Sequence, residues 1–234
     1  NYIEELFLSS CVLRSPDDTM ERLARTVQVL RGKVFNGYIH LKCVPYASKR
    51  LIQQAGRYAD RLSINIELPS EASLKRLTEA KTFDSVLTPM GVIRETIAET
   101  REDRRRLKHV TAFAPAGQST QMIVSATPDT DYHIINLSEQ LYKKMQLKRV
   151  YYSAYVPINA DPLLPRLNKP ELLREHRLYQ ADWLIRFYGY EAHEILSPEH
   201  PNLSADFDPK VNWALNHLDF FPVDINRADY EELL

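Results

Sequence analysis

Two cysteines in 234 residues, 32 positions apart, are too few for a disulfide framework or a four-ligand metal site. Six glycines against 14 prolines exclude a Gly-rich low-complexity chain. No apolar run approaches the roughly 20 residues a membrane helix needs. Asn1-Tyr2-Ile3-Glu4-Glu5 has neither the basic start nor the long apolar stretch of a signal peptide. These absences lead us to expect a soluble, cytoplasmic protein with no membrane partner. What is present is ordinary globular material: 44% hydrophobic and 26% charged residues, in a length that holds one large domain or two small ones.

The net charge of −1 hides an asymmetry. Residues 191–234 carry ten Asp/Glu and two Lys/Arg, a net of −8, so residues 1–190 carry +7. A basic body suits anionic partners, and uneven solvation of helix faces explains it equally well. The chain starts without methionine, directly in an apolar strand. It stops at Asp229-Tyr230-Glu231-Glu232-Leu233-Leu234 in a helical pattern with no closing Gly or Asn. We therefore expect it to be a fragment of a longer protein.

Short apolar strands alternate with amphipathic helices. Leu6-Phe7-Leu8, Tyr38 to Lys42, Arg61 to Leu68, a stretch from Val110 to Val124 split by Pro115-Ala116-Gly117, and Arg149 to Val156 read as strands. Helices are predicted at 17–31, 48–58, from Glu71 behind a Ser70 cap, and at 84–107, 131–146 and 171–188. This order predicts a parallel α/β sheet, open or closed into a barrel. Pro157, Pro162, Pro165 and Pro170 punctuate a loop before the last long helix, and 189–225 reads as irregular.

In parallel α/β folds the chemistry gathers at the carboxyl ends of the strands. Here those ends read Ser9-Ser10-Cys11, His40 to Cys43, Ser63 to Glu67, Gln118-Ser119-Thr120-Gln121 and Ser153-Ala154-Tyr155. Alternation sends Ser63, Asn65 and Glu67 to one face and Leu62, Ile64, Ile66 and Leu68 to the other. A polar inner face is costly unless it is paired or binds something, so Asn65 and Glu67 either face a ligand or satisfy each other. Lys42 is a candidate Schiff-base nucleophile, an ion-pair partner for Glu67, or a ligand for a substrate carboxylate. Cys11 and Cys43 read as small apolar residues.

The strand ends Leu6-Phe7-Leu8-Ser9-Ser10, Ile39-His40-Leu41-Lys42, Ser63-Ile64-Asn65-Ile66-Glu67-Leu68-Pro69-Ser70, Pro115 to Val124 and Arg149 to Pro157 resemble the radical S-adenosylmethionine (SAM) superfamily. They look most like its members linked to DNA modification or repair, which neighbour a uracil-DNA glycosylase-like partner. The likeness runs from about Tyr2 to Leu234. It implies an α/β fold, a partial (β/α)6 TIM-like barrel with strands two to six present over residues 1–157, and a C-terminal helical extension over 158–220. It implies a cytoplasmic enzyme that cleaves SAM reductively at a four-iron four-sulfur (4Fe–4S) cluster held by a CxxxCxxC loop.

Carried over by position, Ser9 and Ser10 would meet the methionine amino group, and Asn65 and Glu67 the ribose. Gln118, Thr120 and Gln121 would cover the adenosine, Ser153 and Tyr155 the adenine, with Lys42 close by. Cys11 and Ser125 stand where the family has glycine. The CxxxCxxC loop is absent from this sequence, so the chain alone should hold no cluster and be inactive. Residues 221–234 resemble the first helix of a helix-hairpin-helix module, in the pattern D-x-N-x-A-x-x-x-E-L with Asn226 as N-cap. DNA or a nucleotide-like molecule is then the expected substrate, with Arg104, Arg105, Arg106 and Lys108 as basic contacts. The competing readings are a non-catalytic nucleic-acid-binding barrel and a Schiff-base lyase using Lys42.

Overall fold

The computed structural model describes residues 3–78, 81–158 and 161–230. Five strands, β1 (Glu5–Leu8), β2 (Tyr38–Lys42), β3 (Arg61–Ser63), β4 (Gln118–Val124) and β5 (Arg149–Ala154), lie in that order in one all-parallel sheet. The sheet curls into a half-barrel. Between the strands run α1 (Pro16–Gly32), α2 (Lys49–Gly56), α3 (Glu71–Leu77), α4 (Phe83–Arg106) and α5 (Asp131–Met145). After β5 come α6 (Leu172–Phe187) and two short helices inside the stretch read as irregular, α7 (Ala192–Ile195) and α8 (Pro209–Leu215). No helix among the described residues is long and apolar enough to cross a membrane.

Several helices begin where side chains take over orphan N–H groups. Ser15 Oγ accepts from the Asp18 N–H, Ser70 Oγ from Ser73 and Thr130 Oγ1 from His133. Thr82 and Ser85 cap each other reciprocally at the start of α4. The helix-facing side of the sheet is Ile39, Leu41, Leu62, Met122, Val124, Val150 and Tyr152, all buried. These pack with Met20, Val27, Leu51, Ile52, Val86, Met90, Ile93 and Ile135 from the helices in one continuous core. Each such side chain contributes about 1.5–3 kcal/mol on burial. Leu178, Ala181 and Leu184 of α6 belong to the same core, which ties this helix to the sheet.

Strand β3 is shorter than the sequence pattern suggests. Ser63 pairs with Ser119, but the next bridge joins Glu67 to Met122, so four steps along one strand match three along the other. The extra residue breaks the ladder, and Thr120 repairs it: its Oγ1 accepts from the Ile66 N–H (2.9 Å) and donates to the Ile64 carbonyl (2.8 Å).

The outer edge of β5 is closed by side chains rather than by a strand. The Val150 N–H donates to the Tyr142 hydroxyl (3.0 Å), Tyr152 N–H to Tyr179 (3.0 Å) and Ala154 N–H to Glu175 Oε2 (2.6 Å). The Tyr142 hydroxyl in turn donates to Asp182, which is 0% exposed and also accepts from Arg186 Nε at 2.7 Å. The Tyr152 hydroxyl stands 3.3 Å from the same carboxylate. Burial raises the Asp182 carboxyl above its ordinary range, against the pull of Tyr142 and Arg186. Removing one member of a buried pair strands the other, so Asp182→Ala should cost about 3–5 kcal/mol. Urea midpoints measure it; a loss near that of an exposed pair would show that the network does not hold the edge.

Candidate functional site

The register assigns one side of each strand to the concave face. His40 pairs with Arg61, Lys42 with Ser63, Ser63 with Ser119, and Ser119, Gln121 and Ile123 with Arg149, Tyr151 and Ser153. The alternate residues are mostly the buried apolar set that meets the helices, so the concave face is largely polar and charged on β2 to β5, with Ile123 as an exception, while β1 adds Glu5 and Phe7.

At the carboxyl end of this face Glu67 is the centre. Its Oε1 lies 3.0 Å from Lys81 Nζ and 3.7 Å from Lys42 Nζ, and its side chain is 22% exposed. The Glu67 N–H donates to the Gln121 carbonyl (3.0 Å), and its own carbonyl accepts from Ile123 (2.7 Å). With φ at +67°, Glu67 occupies the left-handed region that a non-glycine residue adopts at a cost. Asn65 Nδ2 reaches Gln121 Oε1 at 3.4 Å, a long contact that a better partner can replace. Two ammonium groups about one carboxylate leave the cluster net positive and suited to an anionic or hydroxyl-rich ligand.

The structure therefore brings Lys42, Asn65, Glu67 and Gln121 together. Ser153 lies opposite Ile123 on the same face, and Tyr155 packs beside Leu68, Leu74 and Ala126. Ser9 and Ser10 are exposed just past β1, where the Ser10 hydroxyl donates to the Cys11 carbonyl. Gln118 and Thr120 point the other way. Gln118 Nε2 donates to the Met90 and Met145 carbonyls (3.1 and 2.7 Å), and Thr120 fills the break in β3.

Arg104, Arg105, Arg106 and Lys108 are exposed at and just past the far end of α4. Arg105 and Arg106 pair with Glu102. A helix of this length spans about 35 Å, and its first turn follows Lys81, so the basic cluster lies at the opposite end of the molecule from Glu67. In the C-terminal segment Asp224, not Asn226, accepts the local N–H groups: its Oδ1 takes the Asn226 N–H and its carbonyl those of Arg227 and Ala228. The remainder of the predicted hairpin helix, 231–234, lies outside the described residues.

The sequence reading passed over Lys81, which carries no periodic signal. It also passed over Arg61 and Arg149, although their positions in the alternation place them with Ser63 and Tyr151. A third omission is Arg174, which donates to Asp131 (2.7 Å), Ser125 Oγ (3.1 Å) and the Asp129 carbonyl (2.7 Å) beside a groove of about 760 Å³. Cys43 is buried, which pushes its thiol up to about 12, and Cys11 is exposed. No group of three His, Cys, Asp or Glu among the described residues is placed to hold a metal.

No family model matches this sequence, and no curated protein matches it.

Burial, then the Arg61 charge, pulls the His40 imidazole down to about 4. Between that value and the ordinary 6.5 the unfolded chain binds the proton and the folded chain does not. Stability should therefore fall as pH drops from about 6.5 to about 4, and this part of the fall should vanish in His40→Gln. Urea midpoints of both proteins across that range decide it; parallel curves would remove His40 as the cause.

Proposed function

We propose that the carboxyl-end mouth of this half-barrel binds the nucleoside of SAM, and that the protein is a radical SAM enzyme acting in DNA modification or repair. In this reading the five strands are strands two to six of a (β/α)6 barrel. The observation that carries it is Glu67, pinned to β4 by both main-chain groups, in a left-handed conformation, with Asn65, Gln121 and two lysines around it. A fixed carboxylate accepts ribose hydroxyls, the Asn65–Gln121 pair offers amide donors and acceptors, and Lys42 or Lys81 suits the methionine carboxylate. Ser125 adds support. It stands where the resembling family has glycine, and its φ of +68° is a conformation that glycine adopts freely.

Bound SAM would supply a 5′-deoxyadenosyl group, whose release as a radical together with methionine would need one electron from a reductant that these residues do not hold. The described residues do not fit a 4Fe–4S cluster, since one exposed and one buried cysteine cannot give three thiolates. The proposal for this chain's residues is therefore confined to holding the nucleoside and the methionine carboxylate. The Schiff-base reading of Lys42 gains no observation, because Lys42 is held against Glu67.

Calorimetry with SAM and with S-adenosylhomocysteine tests the site. Glu67→Ala should weaken both by about 1.5–3 kcal/mol, the worth of a hydrogen bond to a charged group. Equal affinity of variant and parent would sink the assignment.

For the nucleic-acid part of the proposal, the supporting observation is that Glu102 alone pairs with the basic end of α4 among the described residues. Replacing Arg104, Arg105, Arg106 and Lys108 with Gln should flatten the salt dependence of duplex binding by about 3–4 units of log–log slope. Gel shifts across a salt series measure it, and an unchanged slope would move the DNA contact elsewhere.

A further inference from the structure

The amino-terminal half of the concave face holds a second polar group that the mouth does not use. Tyr38 and His40 come from β2, Arg61 from β3, Ser119 from β4, and Arg149 and Tyr151 from β5. His40 and Arg61 are register partners, as are Ser119 and Arg149. Arg61 and Arg149 start two strands apart and converge on one ring. Arg61 Nη1 donates to the Tyr151 hydroxyl at 3.2 Å, and the Arg149 guanidinium lies 5.0 Å from the centre of that ring.

Neither guanidinium pairs with a carboxylate among the described residues. Asp60, next to Arg61 in sequence, is taken by Arg31 (2.6 Å) and the Ile39 N–H (2.7 Å). Glu5 sits across from Tyr38 on β1 and pairs with neither. Arg61 Nε, Arg149 Nε, His40 Nε2 and Ser119 Oγ are all buried without a hydrogen-bond partner, and Ser119 is 1% exposed. One such atom is an ordinary defect; four on one patch, two of them on cations, call for a common partner. The contacts that Arg61 does make are long, 3.2 Å to Tyr151 and 3.4 Å to the Ala116 carbonyl, and are readily exchanged.

The chemistry of that partner follows from the donors. Two guanidiniums exclude a cation and leave a neutral sugar undercompensated. Two forks, a hydroxyl and an imidazole ask for at least three acceptor oxygens, one more than a carboxylate offers. Depth excludes a duplex backbone, since Ser119 lies on the floor of the curled sheet. We propose that Arg61 and Arg149, with Ser119 and His40, form a subsite for the phosphate group of a small molecule. The site lies deeper than the mouth, because Ser119 and its partner Arg149 sit three residues before Met122, the partner of Glu67, which is about 10 Å along β4. It requires neither SAM nor DNA to be the right reading of the rest.

His40 is the built-in reporter. It is held near 4 by burial and by Arg61, with the Phe7 ring against it at 4.8 Å as its neighbour from β1. A dianion beside Arg61 offsets that charge, so the imidazole should titrate higher. The experiment adds inorganic phosphate to the intact chain at constant ionic strength and follows the His40 ring resonances through a pH series, with acetate and chloride as matched arms. The expected result is an upward move of the His40 midpoint with phosphate, less with acetate and none with chloride. Arg149→Met should weaken phosphate at least tenfold, and Arg61→Met should do the same while raising the His40 midpoint without any ligand. The subsite is overturned if phosphate leaves wild-type His40 where chloride does, a readout that needs no variant to fold. It is overturned equally if Arg149→Met binds phosphate as tightly as the parent.

Discussion

A parallel sheet covered by helices on one side must still settle the polar groups on its other side, and in this protein that side is mostly polar, with Phe7 and Ile123 as its apolar members. In a flat doubly wound sheet a second layer of helices would cover it with apolar residues. Here the sheet curls, and its concave face carries the charged side chains of Lys42, Glu67, Arg61 and Arg149. Half-buried charge is costly unless paired. The carboxyl end is nearly settled by the Lys42–Glu67–Lys81 cluster, which has one positive charge to spare. The amino end is settled less, since among the described residues its two arginines meet Tyr151, the Tyr179 ring and the Ala116 carbonyl but no carboxylate.

The two edges of the sheet are treated differently. At β5 three successive outward N–H groups meet Tyr142, Tyr179 and Glu175, from α5 and α6. Tyr142 accepts from the strand and donates to Asp182, so the edge, α5 and α6 are held by one connected network in which each bond polarises the next. At β1 no strand pairs on the outer side among the described residues, and Phe7 stays exposed beside His40. Such an edge is a standing invitation to another strand.

Much of the frame could be read from the sequence because its signals are local. Ser15, Ser70 and Thr130 cap their helices, and the ends of α1, α4, α5 and α6 fall within a residue or two of the periodic patterns. Strict alternation in Tyr38 to Lys42 and Arg149 to Ala154 gave both strands their faces. What failed to show was non-local. The alternation of Leu62 through Leu68 reads as one unbroken strand, yet the count against β4 slips by one residue. Only the partner strand reveals the slip. For the same reason Gln118 and Thr120 looked like pocket residues, whereas their bonds go to α4, α5 and the broken stretch of β3. Lys81 reaches Glu67 from a connection between two helices, where no period exists to mark it.

The slip in β3 also explains why the mouth and the arginine patch can coexist on one strand. In an unbroken register Glu67 would lie opposite Ile123; the extra residue sets it opposite Met122, whose own side chain belongs to the helix-facing core. A regular extended backbone at that position would send Glu67 toward the same apolar core, where an ionised carboxylate is prohibitive. The left-handed φ of Glu67 reverses the direction and delivers the carboxylate to Lys42 and Lys81. Upstream of the slip, Arg61 and Ser63 keep the ordinary pairing with β2 and β4 and stay on the concave face. One inserted residue thus separates a strand into a regular amino half that presents cations and a bent carboxyl half that presents a braced anion. The left-handed conformation at Glu67 is sustained by four contacts, two main-chain bonds and two lysines, which together over-determine it.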